Sequence, residues 1–201
     1  MRTLTPEQLR QYDALPALYA DWNAKINVVS RKDIDQLQLH HVQHSLAIAH
    51  FVDDRLGGWP AGTKVVDVGC GGGFPGIPLA IAYPDVHFLL VDRIGKKVKV
   101  AQAVADAIGL KNVETRHAGI EEVHETFDYA VSRAVMALPD LLKLVRRCTT
   151  RGLICLKGGD LTDELSPAIC RGTSVEPVSQ WLDDEYFEGK FVVFTPMGKS
   201  R

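Results

Sequence analysis

The sequence is poor in the features that mark secreted, metal-binding and membrane-spanning proteins. Its 201 residues include four cysteines, with no C-x-x-C pair and no regular spacing to histidine, so neither a disulfide framework nor a zinc site is expected. No apolar run is long enough to span a bilayer, and no positive segment leads into an apolar core and a small-residue cleavage site. We therefore expect a cytoplasmic protein.

An excess of positive charge is also missing. The formal net charge is −2 and the isoelectric point is near 6.4, unlike a typical basic RNA-binding domain. Two local clusters of basic side chains remain as candidate RNA contacts. One comprises Lys25, Arg31, Lys32, His40, His41 and His44, and the other comprises Arg93, Lys96, Lys97 and Lys99. Taken from the residues alone, each cluster is better explained by a solvated helix face.

The histidines of the first cluster do not form a recognisable metal site. His40 and His44 have i, i+4 spacing but no nearby cysteine or third ligand, so we expect them on a helix surface. Partial protonation near neutral pH would add RNA affinity as the pH falls, a hypothesis that rests only on their clustering.

The most informative segment is a glycine-rich loop that follows a short apolar run. The glycine loop, DVGCGGGF at residues 67–74, comes directly after the run 64–66, and residues 75–80 are typical of a turn that enters a helix. Glycines allow the backbone to turn sharply and to approach a ligand closely. The segment therefore predicts a binding site for a nucleotide-like cofactor.

Two alignments of this loop are possible. Gly71 to Gly76 matches the dinucleotide pattern G-x-G-x-x-G, whereas Asp67 to Gly73 matches the D-x-G-x-G-x-G of S-adenosylmethionine enzymes. Electrostatics favours the second, because the charge of Asp67 suits an ammonium group but opposes a pyrophosphate at the next helix N-terminus. A nicotinamide-dependent oxidoreductase remains the alternative, although a lone G-x-G-x-x-G is weak evidence.

Asp92 is the second candidate contact to the cofactor. It closes the apolar run 86–91, roughly 20 residues after the glycine loop, where a carboxylate accepts hydrogen bonds from the ribose hydroxyls in Rossmann sites. The competing interpretation is that Asp92 caps the helix that begins near Gly95. A ribose carboxylate supports an adenosine-bearing cofactor without choosing between the two cofactor classes.

The pattern of apolar residues predicts a single α/β domain, residues 1–201, with N-terminal helices over 1–60 and a Rossmann-like core over 61–201. In the N-terminal part, one amphipathic helix follows Thr5 and a second helical region begins at Asp33. Core strands are predicted near 64–68, 86–91, 113–116, 127–131 and 151–156, with helices near 76–82, 95–108 and 138–147. Two further β-rich runs, near 174–181 and 190–195, predict a terminal antiparallel hairpin. A mostly parallel sheet that ends in a hairpin favours a class I methyltransferase fold over a dehydrogenase.

Several short motifs occur together in a specific order. They are Trp22-Asn23, the string NVVS at 27–30, His44-Ser45-Leu46, the loop 67–78, Asp92, Ser132-Arg133-Ala134 and Lys157-Gly158. Together they resemble the small-subunit ribosomal RNA guanine-N7 methyltransferases, also called the glucose-inhibited division protein B family. The resemblance extends from the first helix to about residue 160, and its most specific part is GFPGIPL at 73–79.

The resemblance implies an S-adenosylmethionine-dependent enzyme that methylates N7 of one guanine in the decoding region of 16S ribosomal RNA. It implies cofactor contacts at Gly69 and Phe74, a ribose contact at Asp92, a pair beside the adenine at 120–121, and a role for the arginine of the S-R-A motif. With the glycine loop, the predicted cofactor-binding residues are Asp67, Gly69, Gly71, Gly73, Phe74, Asp92, Ile120, Glu121 and Arg133. The predicted substrate-binding residues are Asn27, Arg31, His44 and Arg133. The expected partner is 16S ribosomal RNA or the small ribosomal subunit, and a monomer is expected.

The chemistry of this reaction requires no acid or base from the protein, because guanine N7 carries a lone pair and no proton. No catalytic residue is therefore assigned. The sequence lacks the Asn-Pro-Pro or Asp-Pro-Pro tripeptide and the Pro-Cys or Thr-Cys pair of other nucleic-acid methylations. Ribose methylation and a non-catalytic cofactor sensor remain minor alternatives. For Arg133 the alternative is a surface ion pair with Asp128 or Glu125, and for Asn27 it is a turn position.

Overall fold

A computed structural model describes residues 3–30, 32–165 and 171–198. Arg31, a predicted substrate residue, and Cys170, one of the four cysteines, lie outside the described residues. The other three cysteines, Cys70, Cys148 and Cys155, are free and buried.

The centre of the molecule is a seven-stranded sheet with the order β3-β2-β1-β4-β5-β7-β6. Its strands are β1 (Lys64–Val68), β2 (His87–Asp92), β3 (Val113–His117), β4 (Phe127–Arg133), β5 (Thr149–Gly158), β6 (Ser174–Pro177) and β7 (Lys190–Pro196). The strands β1 to β5 pair in parallel, and β7 is antiparallel to both β5 and β6. The predicted mostly parallel sheet and the terminal hairpin are both confirmed.

Five α-helices accompany the sheet within the described ranges. They are α1 (Pro6–Asn23), α2 (His44–Leu56), α3 (Gly76–Ala82), α4 (Gly95–Ala107) and α5 (Leu138–Val145). The first of them begins at a capping box, in which the Thr5 hydroxyl accepts the Gln8 N–H and the Gln8 side chain accepts the Thr5 N–H. No helix among the described residues is both long enough and apolar enough to cross a membrane.

Apolar side chains cover both faces of the sheet, as a buried parallel sheet requires. Successive side chains of β1 point to opposite faces of the sheet. Val65 packs in the apolar cluster beneath α1, α2, α3 and α4, and Val66 packs in the apolar cluster beneath α5. The N-terminal helices therefore lie on the same face as α3 and α4. This placement brings the segment before α2 to the carboxyl edge of the sheet.

The predicted second helical region is present, but it is not a single α-helix. The chain forms a 3₁₀ turn at Ile34–Gln36 and a π-helical segment at Gln38–Gln43 before α2 begins. The carbonyl of His40 in the π-helical segment accepts hydrogen bonds from the side chains of Arg133 and Tyr186. Apolar periodicity did not indicate this change, because contacts to distant parts of the chain accompany it.

Candidate functional site

A large cavity lies at the carboxyl ends of β1, β2 and β4. Its volume is about 740 Å³, within the range of roughly 300–1,000 Å³ typical of small-molecule sites. The order of the strands reverses between β1 and β4, so the cavity occupies the switch point where ligands bind in open α/β sheets. Its walls include residues 68–72 after β1, residues 92–94 after β2 and residues 133–136 after β4.

The glycine loop is held against β2 by backbone hydrogen bonds. The N–H groups of Gly69 and Cys70 both donate to the carbonyl of Val91, at 2.9 and 3.0 Å. On the other side, the Tyr19 hydroxyl of α1 donates to the Gly72 carbonyl at 2.7 Å. The backbone of the loop is therefore fixed from both sides before a ligand binds.

Asp92 supports the loop and the next helix at the same time. Its Oδ2 accepts the Gly71 N–H at 2.8 Å, and its Oδ1 accepts the N–H of Ile94, the residue before α4, also at 2.8 Å. A carboxylate has about four acceptor positions, so two remain for the hydroxyls of a ribose. The two interpretations of Asp92, ribose contact and helix cap, are compatible in this geometry.

Asp67 lies behind the glycine loop. It is fully buried, its Oδ2 accepts the Gly76 N–H at 2.7 Å, and it does not line the cavity. Burial raises the pKa of its carboxyl to about 7. The Gly76 N–H is thus used inside the protein, which weighs against the dinucleotide alignment of the loop. A direct contact between Asp67 and a cofactor stays a prediction.

Because the pKa of Asp67 is raised, its contribution to the free energy of unfolding depends on pH. The folded protein holds the carboxyl proton more tightly than the unfolded chain, in which the pKa of this carboxyl is near 3.8. The contribution of Asp67 therefore falls as the pH rises from about 4 to about 7. Asp67→Asn keeps a carbonyl for Gly76 but cannot ionise. We expect the free energy of unfolding of the variant, relative to the wild type, to rise by up to about 3 kcal/mol between pH 5 and 8, because roughly two pKa units of the shift lie in that range. Urea unfolding of both proteins at the two pH values measures this difference, and an unchanged difference would contradict the assignment.

Arg133 is the last residue of β4 and points into the protein. Its Nη2 donates to His41 Nδ1 at 2.8 Å, its Nη1 donates to the His40 carbonyl at 3.3 Å, and its guanidinium lies 5.3 Å from the Phe74 ring centroid. Burial lowers its pKa, and it forms no ion pair with a carboxylate among the described residues. A half-buried guanidinium without a carboxylate partner, at the wall of a cavity, favours an anionic ligand group.

The alternative surface pair for Arg133 is wrong. Asp128 accepts the Lys64 N–H and lies 3.4 Å from Arg151, and Glu125 pairs with Arg116 at 2.7 Å. Both carboxylates therefore have other partners.

The histidine hypothesis also requires correction. His41 and His44 line the cavity rather than a helix surface, and His44 is buried. Burial, together with the charge of Arg133, lowers the pKa of His41 to about 4 and that of His44 to about 3. Both rings are neutral near pH 7, so the idea that they add positive charge for RNA at that pH is wrong.

A comparison of the whole chain with known proteins decides its family. The family model described as GidB, rRNA small subunit methyltransferase G, matches residues 7–174. The chain belongs to this family. It is 54% identical over 199 residues to the Ribosomal RNA small subunit methyltransferase G of Bacteroides fragilis, covering 95% of this chain and 94% of that protein. It is 48% identical over 202 residues to the protein of the same name from Flavobacterium psychrophilum, covering 96% and 93%.

Solved structures confirm the class I methyltransferase fold. The magnesium protoporphyrin IX methyltransferase of Synechocystis, crystallised with bound S-adenosylmethionine, aligns with a TM-score of 0.62 at 13% identity, covering 98% of this chain and 100% of that one. A SAM-dependent O-methyltransferase of Thermotoga maritima aligns with a TM-score of 0.61 at 13% identity, covering 95% and 72%. Family membership and fold leave no support for the oxidoreductase alternative.

The structure brings most of the predicted cofactor residues of this family member to one cavity. The lining includes Gly69, Gly71, Phe74, Asp92, Ile120, Glu121 and Arg133. Glu121 pairs with Arg93 at 2.5 Å at the exposed rim. Gly73 does not line the cavity, since its backbone turns away towards α3, and it stays a prediction.

The predicted substrate residues are less concentrated. His44 and Arg133 line the cavity, whereas Asn27 does not, although its neighbour Val28 does. Arg31 lies outside the described residues. The roles of all four stay predictions.

Two polar residues of the cavity wall near the C-terminal end of the chain escaped the sequence analysis. Tyr186 and Lys190 come from the last forty residues, which carry little of the family resemblance, yet both line the cavity. Lys190 pairs with Gly158 because β7 runs antiparallel to β5, so the start of β7 lies at the cavity edge. The predicted hairpin, placed beside the last parallel strand, was the signal that could have found them.

Gly69 lets the cavity wall approach the glycine loop. Its φ is +68°, and a Cβ added there would lie 2.5 Å from Val135 Cγ2, on the opposite wall. Gly69→Ala is therefore expected to lower S-adenosylhomocysteine affinity at least tenfold, about 1.4 kcal/mol, measured by calorimetry. Gly62→Ala is the matched control, because Gly62 has a φ of +80° and open space around its Cβ position. Equal affinities for the two variants would contradict a ligand at this wall.

Proposed function

We propose that this chain methylates N7 of one guanine in the decoding region of 16S ribosomal RNA. As a member of its family it is an S-adenosylmethionine-dependent methyltransferase that acts on ribosomal RNA. The observation that carries the finer proposal is the state of the acidic groups and of His41 and His44 in the cavity wall: the carboxylates have hydrogen-bond or ion-pair partners, and the two histidines are neutral.

The acidic groups of the wall already have partners. Asp92 accepts two backbone N–H groups, Glu121 pairs with Arg93, and Asp33 accepts hydrogen bonds from Ser30 and His40. Hydrogen bonds from Ser30 and Arg93 lower the pKa values of Asp33 and Glu121, so these two carboxylates are weak proton acceptors at neutral pH.

The two neutral histidines are weak bases as well, because burial lowers their pKa values to about 4 and about 3. A methyl acceptor with a proton to lose would need a stronger base. Guanine N7 has no proton to lose, so positioning and fixed dipoles suffice. The wall therefore suits N7 better than an exocyclic amine or a hydroxyl.

The residues present fit the cofactor. The free acceptor positions of Asp92 suit the ribose hydroxyls, and the half-buried guanidinium of Arg133 suits a carboxylate such as that of the methionine moiety. The absence of a side chain at Gly69 lets Val135 pack directly against the glycine loop and form the wall of the cavity there. When bound, S-adenosylmethionine supplies the methyl group.

The remaining proposals concern the setting of the reaction. We infer that the chain acts in the cytoplasm, where ribosomal RNA is assembled into subunits. Large exposed apolar side chains among the described residues are scattered at Leu9, Ile94, Val135 and Val175, and two of these line the cavity. This distribution supports a monomer that works as one domain.

The first experiment is transfer of labelled methyl groups from S-adenosylmethionine. The acceptors are small ribosomal subunits that lack the modification, the RNA extracted from them, and large subunits as a control. We expect incorporation with small subunits or their RNA and none with large subunits. Equal incorporation into both subunits, or none into either despite tight cofactor binding, would overturn the proposal.

A further inference from the structure

The hydrogen bond between Arg133 and His41 fixes which nitrogen of His41 carries the proton. A guanidinium only donates, so His41 Nδ1, 2.8 Å from Arg133 Nη2, must accept. In a neutral imidazole the proton then lies on Nε2. The lowered pKa of His41, caused mainly by burial, agrees with a neutral ring. His41 is therefore held as an Nε2–H donor with a defined ring orientation.

This donor has no acceptor in the described part of the protein. His41 Nε2 is buried and unpartnered, while the ring lines the cavity and lies 5.2 Å from the Phe74 ring. A buried N–H without an acceptor is costly, and a ligand oxygen would relieve that cost. The donor therefore indicates a ligand contact rather than a structural bond.

The position of His41 separates it from the ribose contact. Asp92 ends β2 and Glu121 follows β3, whereas His41 belongs to the π-helical segment that packs against the end of β4 and against Tyr186, which lies just before β7. Asp92 and Glu121 therefore mark the ribose end of the cavity, and His41, beside Arg133 and Phe74, borders the opposite end. We assign the end of the cavity beside His41 to the methyl-accepting base.

We propose that His41 is a specificity-determining residue that donates its Nε2–H to O6 of the acceptor guanine, a proposal that rests on the function proposed above. Guanine presents N7 and O6 as neighbouring acceptors on one edge, and adenine presents an amine in place of O6. N7 must keep its lone pair free for the methyl group. A single donor at O6 therefore both orients the base and rejects adenine.

The test compares guanine with 2-aminopurine, which keeps N7 but lacks O6, at the target position of reconstituted small subunits. The wild type is expected to prefer guanine by about 10-fold to 100-fold in kcat/KM. His41→Phe keeps a ring but has no donor, so its preference is expected to fall below threefold. His41→Gln offers a carbonyl to Arg133 and an amide N–H to the base, and is expected to restore part of the preference.

The readouts separate a base contact from a structural role. If His41 only held Arg133 in place, His41→Phe would slow transfer to guanine and to 2-aminopurine by the same factor and would weaken S-adenosylhomocysteine binding. A preference that survives in His41→Phe would overturn the inference while leaving the proposed function intact. Absence of wild-type transfer to guanine subunits would instead overturn the proposed function, and the inference with it.

Discussion

Asp92→Ala is expected to abolish cofactor binding and methyl transfer together. The substitution removes the acceptor for the Gly71 N–H, the acceptor for the Ile94 N–H and the predicted partner of the ribose. Charge-assisted hydrogen bonds are roughly twice as strong as neutral ones, and three are lost or weakened at once. We expect S-adenosylhomocysteine affinity, measured by calorimetry, to fall by at least about 100-fold, or 2.7 kcal/mol.

Two further variants make this result specific. Asp92→Asn keeps one carbonyl acceptor and should give an intermediate loss, because the amide cannot serve all the donors. Asp13→Ala, on the exposed side of α1, removes a carboxylate far from the cavity and should leave binding unchanged. The account would be contradicted if Asp92→Ala bound S-adenosylhomocysteine within twofold of the wild type.

Arg133→Met is expected to separate binding from stability. The guanidinium is half-buried and has no carboxylate partner in the described residues, so the protein without ligand gains little from its charge. We expect the Tm of the ligand-free variant to change by no more than about 4 °C, roughly 1 kcal/mol for a chain of this size. S-adenosylhomocysteine affinity should fall by at least about 100-fold, because the ligand carboxylate loses its partner.

The measurement for Arg133 combines differential scanning fluorimetry with calorimetry. Arg133→Lys is the conservative comparison, and we expect it to recover little, because an ammonium cannot hold His41 and an anion with the planar geometry of a guanidinium. The reverse pattern, a large fall in Tm with affinity retained, would show that Arg133 serves the fold and not the ligand.

The positions of the main site residues could be predicted from the sequence because they follow strand ends. Short apolar runs end at residue 68 and at Asp92, and another ends at Arg133, so a parallel sheet brings all three to one edge. The glycine loop could be predicted as well, since glycines between a strand and a helix serve few other purposes. Their positions alone do not establish their roles, which the binding measurements on the Asp92 and Arg133 variants test.

The rest of the site depends on contacts between distant segments. The burial of His41 and His44 follows from their packing against Arg133 and Tyr186, and helical periodicity alone places histidines on a surface. Tyr186 stacks on His40 with ring centroids 3.7 Å apart and planes 9° apart. Residues 146 positions apart carry no local signal of such a contact. The orientation of Asp67 could not be predicted either. The sequence places its carboxylate near a strand end but does not show that it faces the protein interior and not the cavity.

The most direct test of the central claim is to locate the transferred methyl group on the RNA. Small subunits lacking the modification are methylated by the wild-type protein, and the RNA is then cleaved chemically at N7-methylguanine and read by primer extension. The account predicts one strong stop at a single guanine of the decoding region, absent without protein and absent with Asp92→Ala. Labelled methyl groups that enter the RNA without any N7-specific cleavage, or cleavage at many guanines, would contradict it.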